Sequence, residues 1–180
     1  MLLTKHIPEG DKEKRERTLL RQLSNFILEK DYPCERIKTV FSQGKVKLKS
    51  YRVLGSIEAA EEITTDLKTY ISEFKREYNT LTAFIAVFIN QKIEDKDEFD
   101  RLLLQQLKFI KQCDQIHDAP PVNPVPGTDN YCLSIVGKPF HIIGLHPKEE
   151  RETHQAPYPC LAFIQHLGSA GNELNQSVFN

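Results

Sequence analysis

Apolar side chains recur every three or four residues in three segments of the chain, and this spacing predicts three amphipathic helices. The segments are residues 11–30, 58–78 and 95–117. Charged and polar residues fill the positions between the apolar ones, so each helix is expected to pack along one side only. The first helix is predicted to end before Pro33, because proline disfavours the helical conformation in the residue that precedes it.

Strand patterns lie between the predicted helices. Ile37, Thr39 and Phe41 alternate with polar residues ahead of a turn at residues 42–44, and a second hairpin is predicted around Gly137-Lys138. The predicted strands are residues 37–41, 46–51, 81–89, 131–136, 139–145 and 160–164. Hairpins favour antiparallel pairing. We therefore expect an α+β fold, in which a mainly antiparallel sheet of about six strands packs with three helices.

Chain length and composition predict a single domain over residues 1–180. A chain of this size buries about 70% of its unfolded surface around one core, and 39% hydrophobic with 27% charged residues is an ordinary globular composition. Residues 1–10 are expected to be flexible, and residues 167–180 to form a C-terminal tail. Residues 119–127 hold four prolines and a glycine, which predicts a connection without regular structure.

Charge and hydropathy argue against two classes of partner. The 24 Lys and Arg residues nearly balance the 25 Asp and Glu residues, so the basic surface that a nucleic acid demands is not expected. The apolar run over residues 81–89 is about half of the roughly 20 residues that a membrane helix needs, and no membrane partner is expected. The first ten residues lack the apolar core of a signal peptide. A cytoplasmic location is therefore predicted.

The chain has four cysteines, and their spacing predicts neither a disulfide framework nor a zinc site. No two of them form a C-x₂-C pair, and they are predicted to be buried thiols. The cysteines are Cys34, Cys113, Cys132 and Cys160.

The most distinctive chemistry in the sequence follows the second predicted hairpin, since no phosphate-binding loop, dinucleotide fingerprint, nucleophile elbow or zincin motif is present. Gly144-Leu145-His146-Pro147 ends one predicted strand, and His166 follows another. A neutral imidazole is a good iron ligand, but a lone histidine at a strand end is more often a hydrogen-bonded structural residue. Strand alternation places His141 on the face opposite His146.

These segments resemble the YqcI/YcgG family, whose characterised members include heme-dependent N-hydroxylases acting on arginine or related guanidino compounds. The resemblance covers about residues 19–166, and its most specific part is Gly144-Leu145-His146-Pro147 with the strand and histidine that follow. The matching segments are Tyr32-Pro33-Cys34, residues 81–89, His117-Asp118, residues 131–144, Arg151, Pro159-Cys160-Leu161-Ala162-Phe163 and His166. The family usually continues beyond the position at which residues 167–180 end this chain.

The resemblance implies a heme b cofactor, dioxygen as co-substrate, a small-molecule substrate and a separate electron donor. His146 is implied as the axial iron ligand, with His166 as the second choice. Arg151 would pair a heme propionate, or it is a solvated charge. A carboxylate, Asp118, Glu149 or Glu150, would hold the substrate cation. The alternative is a non-catalytic heme-binding or small-molecule-binding protein of the same fold, and a homodimer is left open.

Overall fold

Four α-helices and five strands make up the part of the chain that the computed structural model describes, namely residues 9–30, 32–73, 80–114 and 132–167, without the side chains of 166 and 167. The helices are α1 (Glu9–Glu29), α2 (Glu35–Ser42), α3 (Ile57–Glu73) and α4 (Lys96–Cys113). The strands are β1 (Val46–Tyr51), β2 (Thr80–Phe88), β3 (Cys132–Ile135), β4 (Lys138–Leu145) and β5 (Cys160–Leu167). A short 3₁₀ turn, Glu152–His154, lies between β4 and β5.

The five strands form one mixed sheet in the order β1-β2-β5-β4-β3. Strands β1 and β2 are parallel, with Val46 opposite Ala83, and α3 connects them, because parallel neighbours need a crossover rather than a hairpin. The other three pairings are antiparallel, and Leu145 of β4 lies opposite Cys160 of β5. The expected α+β class is confirmed, while the sheet is mixed rather than wholly antiparallel.

One predicted strand is in fact a helix. Residues 37–41 belong to α2, and the side chains that α2 buries are Ile37, Val40 and Phe41. Their spacing of three and four is helical, whereas the alternation of Ile37, Thr39 and Phe41 suggested a strand. The protein therefore has five described strands instead of six and four described helices instead of three.

The remaining elements lie close to their predicted positions. Strand β2 and the β3–β4 hairpin occur where they were expected, and β5 extends to Leu167 rather than stopping at residue 164. Glu9 and Gly10, expected to be flexible, are the first residues of α1. The predicted loop at 119–127 and most of the predicted tail lie outside the described residues.

The sheet has a hydrophobic core on each face. Phe84, Ala86 and Phe88 of β2 belong to the core beneath α3 and α4, whereas Ile85 and Val87 belong to the core beneath α1 and α2. Two-sided burial explains why β2 reads as a continuous apolar run rather than as an alternating pattern.

A close contact sets the distance between α4 and β4. It lies at the end of the sheet that carries the candidate site. The Phe99 ring of α4 packs directly on Gly144 of β4. A Cβ atom added at Gly144 would lie 2.7 Å from Cε1 of Phe99 and 3.3 Å from Cδ2 of Leu103. Real Cβ atoms do not approach that closely, so only glycine lets α4 sit at this height over the sheet.

We predict that Gly144→Ala lowers the free energy of unfolding by about 1–3 kcal/mol, because the added methyl group overpacks the Phe99 contact. Urea denaturation measures the change. Gly10→Ala is the matched control, since no atom lies within 4 Å of a Cβ at that position; in a helix this change should be neutral or stabilising by up to about 1 kcal/mol. Equal effects of the two substitutions would contradict the packing argument.

Candidate functional site

His146 follows the last residue of β4 and is 1% exposed. Its imidazole stacks on the Phe99 ring, with ring centroids 4.2 Å apart and an interplanar angle of 27°. Its backbone carbonyl accepts a hydrogen bond from the N–H of Ala156, which ties the segment after β4 to the segment before β5. His146 therefore lies on the α4 side of the sheet, in a fixed position.

Both ring nitrogens of His146 have hydrogen-bond partners. The backbone N–H of Lys148 donates to Nδ1 at 3.2 Å. Nε2 lies 3.0 Å from Oε1 of Glu149. Because Nδ1 faces a donor, the ring proton of the neutral imidazole is assigned to Nε2, which donates to the Glu149 carboxylate.

Burial lowers the pKa of His146. Contact with Glu149 and the charge of Asp100 act in the opposite direction, and Lys96 adds to the lowering. Burial is the largest of these effects, so the imidazole is neutral at neutral pH.

Glu149 is more accessible than the histidine that holds it, because its side chain is 27% exposed. Its second oxygen, Oε2, lies 3.9 Å from Nζ of Lys96, which is too long for a hydrogen bond. The backbone carbonyl of Glu149 accepts a hydrogen bond from Gln155 Nε2 at 2.9 Å. Oε1 of Glu149 is thus held by His146, whereas Oε2 forms a longer ion pair with Lys96.

An open cleft of about 420 Å³ lies between the turn after β2 and the segments that flank β4 and β5; Pro147 and Lys148, which separate His146 from Glu149 in the sequence, line it, whereas the pair itself does not. Ile89, Ile93 and Tyr158 are among the apolar residues that line it, together with prolines 147, 157 and 159. Two lysines, Lys92 and Lys148, also line it. The volume suits a small molecule.

The structure brings together only part of the predicted site. His146 and Glu149 are in contact, whereas Glu150 and Arg151 are exposed. Residue 166 pairs through its backbone with Leu81 of β2, and its side chain is not described. Asp118 lies outside the described residues. The roles predicted for these residues stay predictions.

Sequence reasoning missed a second cluster on the opposite face of β4. Cys132 and His141 are direct partners across the β3–β4 hairpin, and Sγ of Cys132 lies 3.0 Å from Nδ1 of His141. Nη1 of Arg36, on α2, is 3.2 Å from the same ring nitrogen. The cluster could have been predicted from the sequence if the register of the β3–β4 hairpin had been assigned correctly.

The register was missed because the turn lies one residue earlier than predicted. Val136 and Gly137 form the two-residue loop, and both have positive φ angles, 53° and 69°. Two-residue hairpins prefer such turns, and glycine is the usual indicator. Taking Gly137-Lys138 as the loop would have placed Cys132 opposite Ile143 rather than His141.

The described part of the chain offers neither a cluster of metal ligands nor a membrane-spanning helix. No group of three or more His, Cys, Asp or Glu side chains there is arranged to hold a metal ion. No helix in the same residues is long and apolar enough to cross a membrane.

Comparison with known proteins gives one match. A model of the YqcI/YcgG family matches residues 23–168, which is more than half of the chain. The chain belongs to the YqcI/YcgG family. The matched region spans nearly all of the described fold, including β4, β5 and the His146–Glu149 pair. No curated protein and no solved structure gives a significant match.

We predict that the protein loses stability as the pH falls from 7.5 to 5.5. An unfolded histidine takes up a proton near pH 6.5, whereas His146 has a lowered pKa, as does His141, with a pKa of about 4. The unfolded chain therefore binds more protons over this interval, and stability must fall. Urea midpoints measured at several pH values report the loss.

His146→Gln should reduce this pH dependence, because the variant has no imidazole to titrate at that position. His154→Gln, in the 3₁₀ turn and outside the His146–Glu149 pair, is the control for replacing a histidine. A wild-type midpoint that does not change between the two pH values would refute the prediction.

Proposed function

We propose that the protein is a heme-dependent monooxygenase that N-hydroxylates a small cationic or amine substrate, such as arginine or another guanidino compound. Membership of the YqcI/YcgG family supports the proposal, together with the motif residues 144–147 and 159–163 that carry the resemblance to N-hydroxylases. Bound heme would supply dioxygen activation, with electrons from a separate donor. The protein itself would bind the substrate and orient it.

The proposed substrate class rests on one observation: His146 holds the carboxylate of Glu149 in a fixed position. Its Oε1 accepts the Nε2–H of buried His146, and its Oε2 is left to Lys96 at 3.9 Å. A guanidinium binds a carboxylate through parallel N–H donors. A substrate guanidinium would bind Glu149 better than Lys96 does, because His146 has already fixed the carboxylate and Lys96 lies beyond hydrogen-bond distance.

The cleft that Lys148, the sequence neighbour of Glu149, lines supports a substrate with both charges. Lys92 and Lys148 line it and are suited to the carboxylate of an amino acid, while its apolar residues suit an aliphatic chain. An arginine-like molecule has a cation at one end and a carboxylate at the other. The two basic side chains of an apolar cleft, with the Glu149 carboxylate next in sequence to one of them, therefore favour this substrate class over a purely cationic amine.

The described arrangement of His146 does not suit a heme held by that residue. Ligation through Nε2 would require the hydrogen bond to Glu149 to break. It would also move the ring proton to Nδ1, which already faces the N–H of Lys148 at 3.2 Å, whereas ligating histidines donate from their second nitrogen to an acceptor. The proposal therefore gives His146 the role of positioning Glu149. It names no iron ligand among the described side chains, and it leaves Arg151 to a propionate.

A second candidate function follows from the same observation. If no histidine binds iron, the cleft and the Glu149 carboxylate still form a site for a guanidino compound. The protein would then be a small-molecule-binding member of its family. Heme uptake separates this function from the first.

We predict that the protein takes up hemin at one heme per chain with a saturable Soret band, and that His146→Gln retains both the band position and the stoichiometry. His166→Ala tests the second-choice ligand: loss of both in that variant would place the iron at residue 166, six residues along β5 from Cys160 and away from Glu149. Absorption titration with hemin measures all three. Loss on changing His146 would return the ligand to that residue, and no uptake by the wild type would select the second function.

We predict that Glu149→Gln weakens arginine binding by about tenfold or more, which corresponds to losing a hydrogen bond to a charged group. Calorimetric titration measures the affinity. Glu150→Gln is the matched control, because it removes the same charge from the exposed neighbouring residue. In an active enzyme Glu149→Gln should raise KM more than it lowers kcat.

Variants at two further residues complete the arginine-binding test of Glu149. Asp118→Asn should weaken binding only if that residue, rather than Glu149, holds the cation. His146→Leu should weaken binding while His146→Gln recovers part of it, because glutamine can still donate a hydrogen bond to the Glu149 carboxylate. Equal effects of Glu149→Gln and Glu150→Gln would reject Glu149 as the specific substrate residue.

A further inference from the structure

A thiol, an imidazole and a guanidinium meet on the face of β4 that lies beneath α1 and α2. Cys132 of β3 and His141 of β4 are cross-strand partners, and such partners have Cβ atoms about 4.5–5.5 Å apart, within reach of a hydrogen bond. Sγ of Cys132 is 3.0 Å from Nδ1 of His141 and 3.6 Å from Nε2. Arg36, from α2, brings Nη1 to 3.2 and 3.4 Å from the same two nitrogens.

One tautomer of His141 favours a deprotonated sulfur. A neutral imidazole has one donor nitrogen and one acceptor nitrogen, and a guanidinium has donors only. When Nδ1–H donates to the sulfur, Nε2 accepts the Arg36 N–H at 3.4 Å, and a thiolate accepts such a hydrogen bond much more strongly than a thiol does. In the other tautomer Nδ1 accepts from Arg36 at 3.2 Å and from the thiol S–H, so the sulfur keeps its proton. The reaction described below requires the first tautomer.

Charge and burial act on the sulfur in opposite directions. Burial is the larger effect and leaves the pKa of the Cys132 thiol above its ordinary value, while the positive charge of Arg36 acts to lower it. A low pKa of about 4 keeps His141 neutral, so Arg36 supplies the cationic charge near the sulfur. A cysteine beside a basic group and a hydrogen-bond donor is the environment in which thiols become nucleophilic.

We propose that Cys132 is a peroxide-reactive cysteine that hydrogen peroxide converts to a sulfenic acid, with His141 and Arg36 promoting the reaction. The thiol proton first leaves to solvent. The thiolate sulfur then attacks one peroxide oxygen, an S–O bond forms and the O–O bond breaks. The departing hydroxide takes up a proton and becomes water. Sulfur is oxidised by two electrons and the peroxide is reduced by two, so no further reactant is needed.

The site selects a small oxidant. Cys132 is 6% exposed, which hinders bulky alkylating reagents more than a molecule of nearly the size of water. The other cysteines provide comparisons within the same chain. Cys34 and Cys113 are more exposed than Cys132, whereas Cys160 is fully buried. Exposure alone therefore predicts that Cys34 and Cys113 react first, and activation by His141 and Arg36 predicts that Cys132 does.

The test is a short exposure of the purified full-length protein to hydrogen peroxide at pH 7.5; catalase then removes the peroxide, and urea with dimedone unfolds the protein and traps the sulfenic acids, so that access of dimedone to the folded site does not affect the result. Peptide mass spectrometry then gives the label at each cysteine. We expect Cys132 to be labelled at least tenfold faster than Cys34 or Cys113, and Cys160 to remain unlabelled. Ratios within one chain do not depend on how much peroxide the rest of the protein consumes, so the result is independent of heme.

Two variants test the neighbours. His141→Leu and Arg36→Gln should each slow labelling of Cys132 by about tenfold while leaving Cys34 and Cys113 unchanged, and circular dichroism checks that each variant is folded. Labelling of Cys34 or Cys113 as fast as Cys132 in the wild type overturns the proposal without any variant. An unchanged Cys132 rate in both folded variants overturns the role of the two neighbours.

Discussion

Two-sided burial of the central strands is the constraint on which the rest of the structure depends. Strands β2 and β5 pair over eight residue positions, and their side chains enter a hydrophobic core on each face. Neither face can be left to water, because each fully buried large apolar side chain contributes about 1.5–3 kcal/mol. Helices must therefore cover both sides, and α1 and α2 cover one while α3 and α4 cover the other.

The same constraint brings two chemically different clusters to one strand. Strand β4 lies beside β5, and its residues alternate between the two faces. On the α4 side, Gly144 gives room to Phe99, which then stacks on His146. On the α2 side, His141 contacts Cys132 and Arg36. The two histidines are five residues apart in sequence, yet the sheet separates their chemistry, so neither can assist the other.

Patterns that depend on many residues could be predicted from the sequence, and those that depend on a single position could not. The three longer helices and β2 follow from periodicity repeated over several turns or from an unbroken apolar run. Helix α2 has only eight residues, and over such a short length the positions of Ile37 and Phe41 fit a strand as well as a helix. Tertiary packing decided between the two.

The candidate site shows the same division. His146 could be selected from the sequence because it stands beside a glycine, a proline and a strand end, and Glu149 was one of three carboxylates that the family resemblance implied. Their contact could not be predicted, because it depends on how the chain turns after β4. The cluster of Cys132 and His141 was missed for a related reason. A positive φ at Val136 is unusual for a β-branched residue, so the sequence pointed to a turn one residue later, and that shift changes every cross-strand neighbour.

The tautomer of His146 links the fold to the proposed chemistry. The backbone N–H of Lys148 is directed at Nδ1, so the proton must reside on Nε2, and Glu149 is the described residue placed to accept it. A buried imidazole that donates to a part-exposed carboxylate fixes the position of that carboxylate without neutralising its charge, because the histidine itself remains neutral. Glu149 is thus held in place directly after Lys148, which lines the cleft. A protonated histidine in the same place would have cancelled the charge of the carboxylate and left little attraction for a substrate cation.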